Sequence, residues 1–223
     1  LKAADWFVRS QIVEKRPNWD ANNGRFPYHV HFPSGYITMG LNWTMARAIM
    51  VLLSAYKLSG KKVYLESAER ATSYNKSLQI LDKRSPHFGS IHEETPQSPY
   101  CYPRDAIECV QGYLMQYRFT GDKELLYRAD IYLKWYLKNA VHLFPGKGKW
   151  IIPEVRFDGA LPRLTEAGAY QSGGGQVFYN AYLITKNNAY KRGCLLLADS
   201  YCKNWLANSS SGAEWHMGAN DDG

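Results

Sequence analysis

Leu126-Tyr127-Arg128-Ala129-Asp130-Ile131-Tyr132 is one of four copies of a short helical pattern. The other copies are Leu1-Lys2-Ala3-Ala4-Asp5-Trp6-Phe7, Leu65-Glu66-Ser67-Ala68-Glu69-Arg70-Ala71 and Lys191-Arg192-Gly193-Cys194-Leu195-Leu196-Leu197. When the copies are aligned on Ala4, Ala68, Ala129 and Cys194, they lie 64, 61 and 65 positions apart. A nearly constant spacing of this size is typical of stacked supersecondary units, so the repeat predicts the fold.

Each complete unit consists of two predicted helices joined by a short polar turn. The turns are Leu58-Ser59-Gly60-Lys61-Lys62, Phe119-Thr120-Gly121-Asp122-Lys123 and Ile184-Thr185-Lys186-Asn187-Asn188. The inner helices, predicted over residues 45–56, 106–117 and 176–184, are mostly apolar and should be buried, whereas the outer helices are amphipathic. Gly60 and Gly121 suit the left-handed residue that ends a helix, and Asn187 or Asn188 is predicted to take that place in the third unit.

The first and last stretches match only parts of a unit. Residues 1–16 match an outer helix, and residues 209–223 lead towards a further inner helix. We therefore expect residues 1–223 to be a single partial domain of a longer chain, starting in an outer helix and ending in a loop. The alternative is that residues 1–16 form an unrelated N-terminal helix.

The composition argues against several kinds of partner. The net charge is +7, but the basic residues are scattered among carboxylates, so we expect no nucleic-acid partner. No apolar run approaches the ~18 residues that cross a bilayer, so no membrane partner is expected. A homo-oligomer is compatible with the sequence, and the location in the cell stays open, with a periplasmic or secreted one favoured.

No metal or other cofactor is expected. His29 and His31 alternate in a short extended segment, but no third ligand has suitable spacing. The run Gly173-Gly174-Gly175 lacks the Lys-Ser/Thr pair of a phosphate-binding loop, which argues against a nucleotide.

The connections from outer to inner helices are long, over residues 17–42, 82–103 and 143–172. If the hairpins pack side by side, these loops meet at one end of the inner layer and line one cavity. Long ordered loops in a compact domain are usually functional. They are also rich in aromatic residues, which suit stacking on sugar rings, although about half of these residues could simply cap the helical layers.

The most concentrated set of chemical groups precedes the second inner helix. Asp105 lies in its first predicted turn, where it is either a helix cap or a catalytic acid or base that faces the cavity. Arg104 could bind an anionic group of a substrate, and Glu93 and Glu94 supply further carboxylates. Glycoside cleavage needs two carboxylates, and Asp105 with Glu166 is the predicted pair, with Glu94 as the substitute for either. The other predicted substrate-binding residues are Tyr102, His92, Arg25, Trp43, Arg163 and Gln171.

Hairpins with turns such as Phe119-Thr120-Gly121-Asp122, and loops such as Tyr100-Cys101-Tyr102-Pro103-Arg104-Asp105, resemble those of the six-hairpin glycosidases. The resemblance implies an all-α fold: part of an (α/α)6 toroid, with three and a half hairpins and with long loops at one end that carry short extended segments. Unsaturated glucuronyl hydrolases and related β-glucuronidases of this superfamily place aspartates near the starts of successive inner helices. Asp105 matches such a position. Tyr170 occupies the next one, so the second carboxylate would come from Glu166 or from sequence outside this chain.

The sequence therefore favours a glycoside hydrolase that acts on an acidic, uronate-containing oligosaccharide or polysaccharide. One alternative is a polysaccharide lyase or uronate epimerase, for which the resemblance would assign Tyr102 and His92 as bases and Arg104 as the group that neutralises the uronate. A second alternative is a helical-repeat scaffold without enzymatic activity.

Overall fold

The computed structural model describes residues 1–13, 22–144, 148–152, 154–160, 172–203, 205–209 and 212–215. The helices in this part of the chain are α1 (Lys2–Ser10), α2 (Asn42–Ser59), α3 (Lys62–Ser77), α4 (Pro103–Thr120), α5 (Lys123–Asn139), α6 (Ser172–Thr185) and α7 (Asn188–Lys203). The strands are β1 (Pro27–His31), β2 (Tyr36–Met39), β3 (Tyr100–Cys101), β4 (Val141–Phe144), β5 (Gly148–Ile151), β6 (Val155–Arg156), β7 (Trp205–Ser209) and β8 (Gly212–Trp215).

The helices form two layers, as the repeat predicts. The inner helices α2, α4 and α6 pack side by side, and each also packs against the outer helix that follows it. Helix α1 contacts both α2 and α3, so it lies beside α3 in the outer layer. The predicted inner helices all fall within the observed ones, and the predicted fold class is confirmed.

The core lies between the two layers. The largest fully buried side chains include Ile49 and Leu52 of α2, Tyr64 of α3, and Tyr132 and Phe178 of α5 and α6. The hydroxyl of Tyr64 also donates a 2.6 Å hydrogen bond to the Asp5 carboxylate. Burying a large apolar side chain stabilises a fold by ~1.5–3 kcal/mol, so these contacts hold the layers together.

The tight turns share one hydrogen-bonding scheme in all three units. A hydroxyl at Ser59, Thr120 or Thr185 donates to the carbonyl four residues earlier and accepts from the N–H two residues later. The next residue is left-handed in each turn: Gly60 at φ 68°, Gly121 at φ 72° and Lys186 at φ 59°.

In the third turn, the prediction of Asn187 or Asn188 as the left-handed residue is wrong. The Asn187 Oδ1 accepts a 2.9 Å hydrogen bond from the N–H of Ala189, so Asn187 begins α7 rather than ending α6. Asp122 begins α5 in the same way, since its side chain accepts a 2.9 Å hydrogen bond from the N–H of Glu124.

The first two long loops also start alike, which the sequence analysis did not anticipate. Gln11 and Gln79 each donate to a glycine carbonyl in their own loop, at Gly24 and Gly89 respectively. Each glutamine also donates to a main-chain carbonyl of the next outer helix. The loops are thus fixed to the outer layer before they reach the inner helices.

These two glycines pack directly against the next outer helix. Gly24 and Gly89 have φ angles of 89° and 94°, which side-chain-bearing residues rarely adopt. A Cβ at Gly24 would lie 2.5 Å from the carbonyl oxygen of Arg70, and a Cβ at Gly89 would collide with the carbonyl of Ile131. Close packing therefore requires glycine at both positions.

The strands occur in the long connections, as expected for short extended segments. β1 and β2 form a hairpin in the first loop, while β3 of the second loop pairs with β6 of the third. β4 and β5 form another antiparallel pair, as do β7 and β8. The pairing of β3 with β6 joins two successive long loops beside the start of α4.

Candidate functional site

Helix α4 begins in a way that places Asp105 at the end of the inner layer. Tyr102 is the residue before the helix, Pro103 follows it, and the N–H of Asp105 donates a 2.9 Å hydrogen bond to the Tyr102 carbonyl. Proline suits this first position because an N–H there has no acceptor inside the helix, so its absence in proline costs no hydrogen bond. A carboxylate in the first turn also interacts favourably with the helix dipole.

The Asp105 carboxyl is mostly buried, with 19 % of its side chain exposed, and lies 3.3 Å from Nε of Arg104. Burial raises its pKa to about 6, opposed by the positive charges of Arg104 and Arg47 and reinforced by the negative charge of Glu108. A carboxyl with this pKa can exist as either acid or base near neutral pH.

An ion pair that the sequence analysis did not identify lies next to Asp105 and joins α2 to α4. Nε and Nη2 of Arg47 each donate a 2.7 Å hydrogen bond to the Glu108 carboxylate. The guanidinium of Arg47 lies 4.8 Å from the centre of the Trp43 ring. Arg47 and Glu108 are 61 positions apart, one repeat, so the repeat alignment could have identified the pair.

Glu93 is the buried carboxyl of the second long loop. Its Oε2 accepts hydrogen bonds from the Tyr102 N–H at 3.1 Å and the Asn42 side chain at 3.3 Å. Its Oε1 has no hydrogen-bond partner among the described residues. Burial raises the pKa of Glu93 to about 8, and the negative charge of Asp105 adds to this effect. This raised pKa favours the protonated form of Glu93 near neutral pH, and its hydrogen bonds join the starts of α2 and α4.

Glu94, the predicted substitute catalytic residue, lies in a different environment from its neighbour. Its side chain is about half exposed, and its carboxylate is 3.7 Å from Nη2 of Arg25. Arg25 itself is buried: Nε and Nη2 donate to the Gly40 carbonyl, and the guanidinium lies 5.0 Å from the centre of the Tyr74 ring. These contacts give Arg25 a clear structural role, and its substrate-binding role stays a prediction.

Other predicted binding residues lie near the same helix ends. The ring of Tyr102 lies 5.2 Å from that of Tyr100 and 5.6 Å from the guanidinium of Arg104. The Nδ1 of His92 is 2.6 Å from the Ser98 carbonyl, so in the neutral ring Nδ1 carries the proton and Nε2 is the basic nitrogen.

The structure thus brings Asp105 near Arg104, Arg47 and the buried Glu93. The rings of Tyr102 and Trp43 lie against Arg104 and Arg47 respectively. Glu94 and Arg25 form a separate pair in the loops. Glu166, Arg163 and Gln171 lie outside the described residues, so the predicted pairing of Asp105 with Glu166 stays a prediction.

The described residues contain no group of three or more His, Cys, Asp or Glu side chains that could hold a metal ion. None of the helices in this part of the chain is long and apolar enough to cross a membrane.

No protein-family model matches the sequence, and no curated protein is significantly similar to it. Solved structures are similar in fold. A D-mannose isomerase superposes with a TM-score of 0.70 at 15 % identity, covering 98 % of this chain and 57 % of that one. A cellobiose 2-epimerase from Spirochaeta thermophila gives 0.64 at 15 % identity, covering 82 % and 47 %.

An inactive variant of an α-1,6-mannanase from Salegentibacter, in complex with α-1,6-mannotetrose, gives a TM-score of 0.58 at 18 % identity, covering 76 % of this chain and 48 % of that one. The shared fold is the (α/α)6 toroid. The present chain spans about half the length of each of these structures. Sequence identities this low show that the fold is shared, and they do not show that the activity is shared.

Proposed function

We propose that this chain carries active-site residues of a carbohydrate-active enzyme, and that the enzyme hydrolyses glycosidic bonds with Asp105 as the proton donor. The observation that carries the proposal is the environment of Asp105: a partly exposed carboxyl in the first turn of an inner helix, with its pKa raised to about 6. A general acid works best when its pKa lies near the working pH.

In the proposed reaction, Asp105 donates its proton to the glycosidic oxygen as the bond to the anomeric carbon breaks. A second carboxylate then either activates a water molecule or attacks the anomeric carbon itself. Glu166 is the proposed second carboxylate and Glu94 its substitute. Glu93 does not suit this role, because it is buried and its raised pKa disfavours the carboxylate form.

The proposed substrate is an acidic, uronate-containing oligosaccharide or polysaccharide. Arg104 lies beside Asp105 with about a third of its side chain exposed, so its guanidinium can pair with a sugar carboxylate near the reacting bond. Among the activities of the superfamily that the sequence resembles, we propose that of a glucuronidase.

The fold neighbours support a carbohydrate substrate. The α-1,6-mannanase neighbour is an inactive variant in which two consecutive aspartates are replaced, in complex with a mannose oligosaccharide. That protein depends on aspartates, which is consistent with a catalytic Asp105 here.

An epimerase or isomerase is the second candidate, and one observation favours it. The Ser98 carbonyl fixes the proton of His92 on Nδ1, which leaves Nε2 as a base able to remove a proton from a sugar carbon. Two of the fold neighbours are a cellobiose 2-epimerase and a mannose isomerase.

The test is to incubate the protein with oligosaccharides and to identify the products. A hydrolase releases new reducing ends, a lyase gives an unsaturated sugar that absorbs in the near ultraviolet, and an epimerase changes the sugar without new ends. We expect Asp105→Asn to reduce hydrolysis by about 10³-fold, the typical contribution of a positioned acid, with the melting temperature retained.

The matched control is Asp122→Asn, at the opposite end of the hairpins, where Asp122 only caps α5. This variant should hydrolyse at the wild-type rate. Full activity in Asp105→Asn would remove Asp105 from the mechanism, and products without new reducing ends would favour the epimerase.

A further inference from the structure

The β1–β2 hairpin exposes a large aromatic and apolar surface beside the candidate site. The exposed side chains include Phe32 at 83 %, Tyr36 at 66 % and Tyr28 at 42 %. Val30 and Ile37 are also exposed, although both lie within the strands. Exposed hydrophobic surface of this extent usually marks a binding site.

The hairpin carries no formal charge. Residues 26–46 contain no lysine, arginine, aspartate or glutamate, and the flanking charged residues are Arg25 and Arg47. A neutral surface of this kind does not suit a charged protein partner. It suits a ligand that offers hydroxyl groups and apolar ring faces.

The two faces of the hairpin differ. His29 pairs with Thr38 and His31 with Tyr36, so these side chains share a polar and aromatic face. Val30 pairs with Ile37 on the opposite, aliphatic face. The first face therefore combines flat rings with hydrogen-bonding groups, as recognition of a sugar requires.

The aromatic surface is continuous with the candidate active site. The ring of Tyr28 lies 4.0 Å from that of His29 and 5.7 Å from that of Trp43. Trp43 contacts Arg47, which pairs with Glu108. The positive charge of Arg47 also lowers the pKa of Asp105. At ~3.3 Å per residue, β1 extends this track by more than 10 Å, enough for more than one sugar ring.

We propose that the polar and aromatic face of the β1–β2 hairpin, entered past Trp43 and Tyr28, binds the part of an oligosaccharide that extends beyond the reacting bond. This inference rests on the proposed function. It adds that the substrate is a chain of several sugars rather than a monosaccharide, and that Tyr28 and Tyr36 determine the preference for longer chains.

The experiment measures kcat/KM against chain length. The probes are α-1,6-manno-oligosaccharides, cello-oligosaccharides and oligogalacturonides, each from disaccharide to hexasaccharide. For the series that the wild type cleaves, we expect kcat/KM to rise with length. The measured ratio is kcat/KM for the hexasaccharide divided by kcat/KM for the disaccharide. Tyr28→Ala and Tyr36→Ala should each reduce this ratio about tenfold, mainly by raising KM for the hexasaccharide. A tenfold change corresponds to ~1.4 kcal/mol.

Tyr36→Phe keeps the ring and should retain most of the length dependence. The matched control is Tyr127→Ala on outer helix α5, where the tyrosine is similarly exposed, and it should match the wild type at every length. The inference is overturned if both hairpin variants keep the wild-type ratio. It is also overturned if they change the sedimentation mass instead, since the hairpin would then join two copies of the chain. If the wild type reacted with none of the probes, the proposed function would be overturned, and the inference with it.

Discussion

The two ends of the helical hairpins differ in what their repeats keep constant. At the tight-turn end, Ser59, Thr120 and Thr185 make the same hydrogen bonds, and the turns have equal length. At the long-loop end only the start of the loops is shared, through Gln11 and Gln79. Beyond that start, the first loop forms an exposed hairpin without lysine, arginine, aspartate or glutamate, and the second contains the buried Glu93. The constant features maintain the fold, and the variable ones carry the proposed chemistry.

The largest effect on stability should come from the shared start of the long loops. Gly89→Ala would force an unfavourable φ and a collision with the Ile131 carbonyl, so the free energy of unfolding should fall by about 3 kcal/mol. Gly24→Ala should have a similar effect, and urea unfolding would measure both. The control is Gly35→Ala in the β1–β2 turn, where φ is also positive but a Cβ meets nothing, so only the smaller conformational cost remains. Equal losses for Gly35 and Gly89 would show that packing against the outer helix adds nothing.

Glu93 should make stability depend on pH. Between about pH 4.5 and pH 8 the folded protein keeps the Glu93 proton and the unfolded chain loses it, so this group lowers the free energy of unfolding as the pH rises. Glu93→Gln removes the effect. Relative to the wild type, the variant should therefore gain stability, by a few kcal/mol, from pH 4.5 to pH 8.

The control for that experiment is the adjacent residue, since Glu94→Gln changes a half-exposed carboxylate and should retain the pH dependence that Glu93 causes. Thermal or urea unfolding at several pH values would measure both variants. If the stability curve of Glu93→Gln stayed parallel to that of the wild type, the pKa of Glu93 would not be raised in the folded protein.

The smallest effect should come from the tight-turn end. Lys186 holds the left-handed position that glycine fills in the other two turns, so Lys186→Gly should stabilise the protein by about 0.5–1 kcal/mol without changing activity. Gly121→Lys is the reciprocal change and should destabilise it by a similar amount. A change in kcat/KM for either variant would show that the two ends are coupled.

The fold could be predicted from the sequence because hairpins packed in two layers impose a period that single residues such as Ala68 and Ala129 reveal. The left-handed conformation of Lys186 could not be predicted, since the asparagine beside it is the commoner residue in that conformation. The loops carry no such period. Nothing in the sequence distinguishes Glu93 from Glu94, although one is buried and the other exposed; their environments depend on the contacts of Asn42, Tyr102 and Arg25.

The candidate site was predictable where it lies on a helix. Asp105 lies in the first turn of α4, as the sequence predicts, and Arg104 lies beside it. The Arg47–Glu108 pair was missed, although the repeat places both residues at one position on adjacent inner helices.

The most direct test of the account is the pH dependence of kcat/KM for the wild-type enzyme on the oligosaccharide that it cleaves. If Asp105 is the proton donor, it must be protonated to act, so the rate should fall as the pH rises through about 6. A rate that stays constant from pH 5 to pH 8, or that rises across this range, would contradict the assignment of Asp105 as the acid.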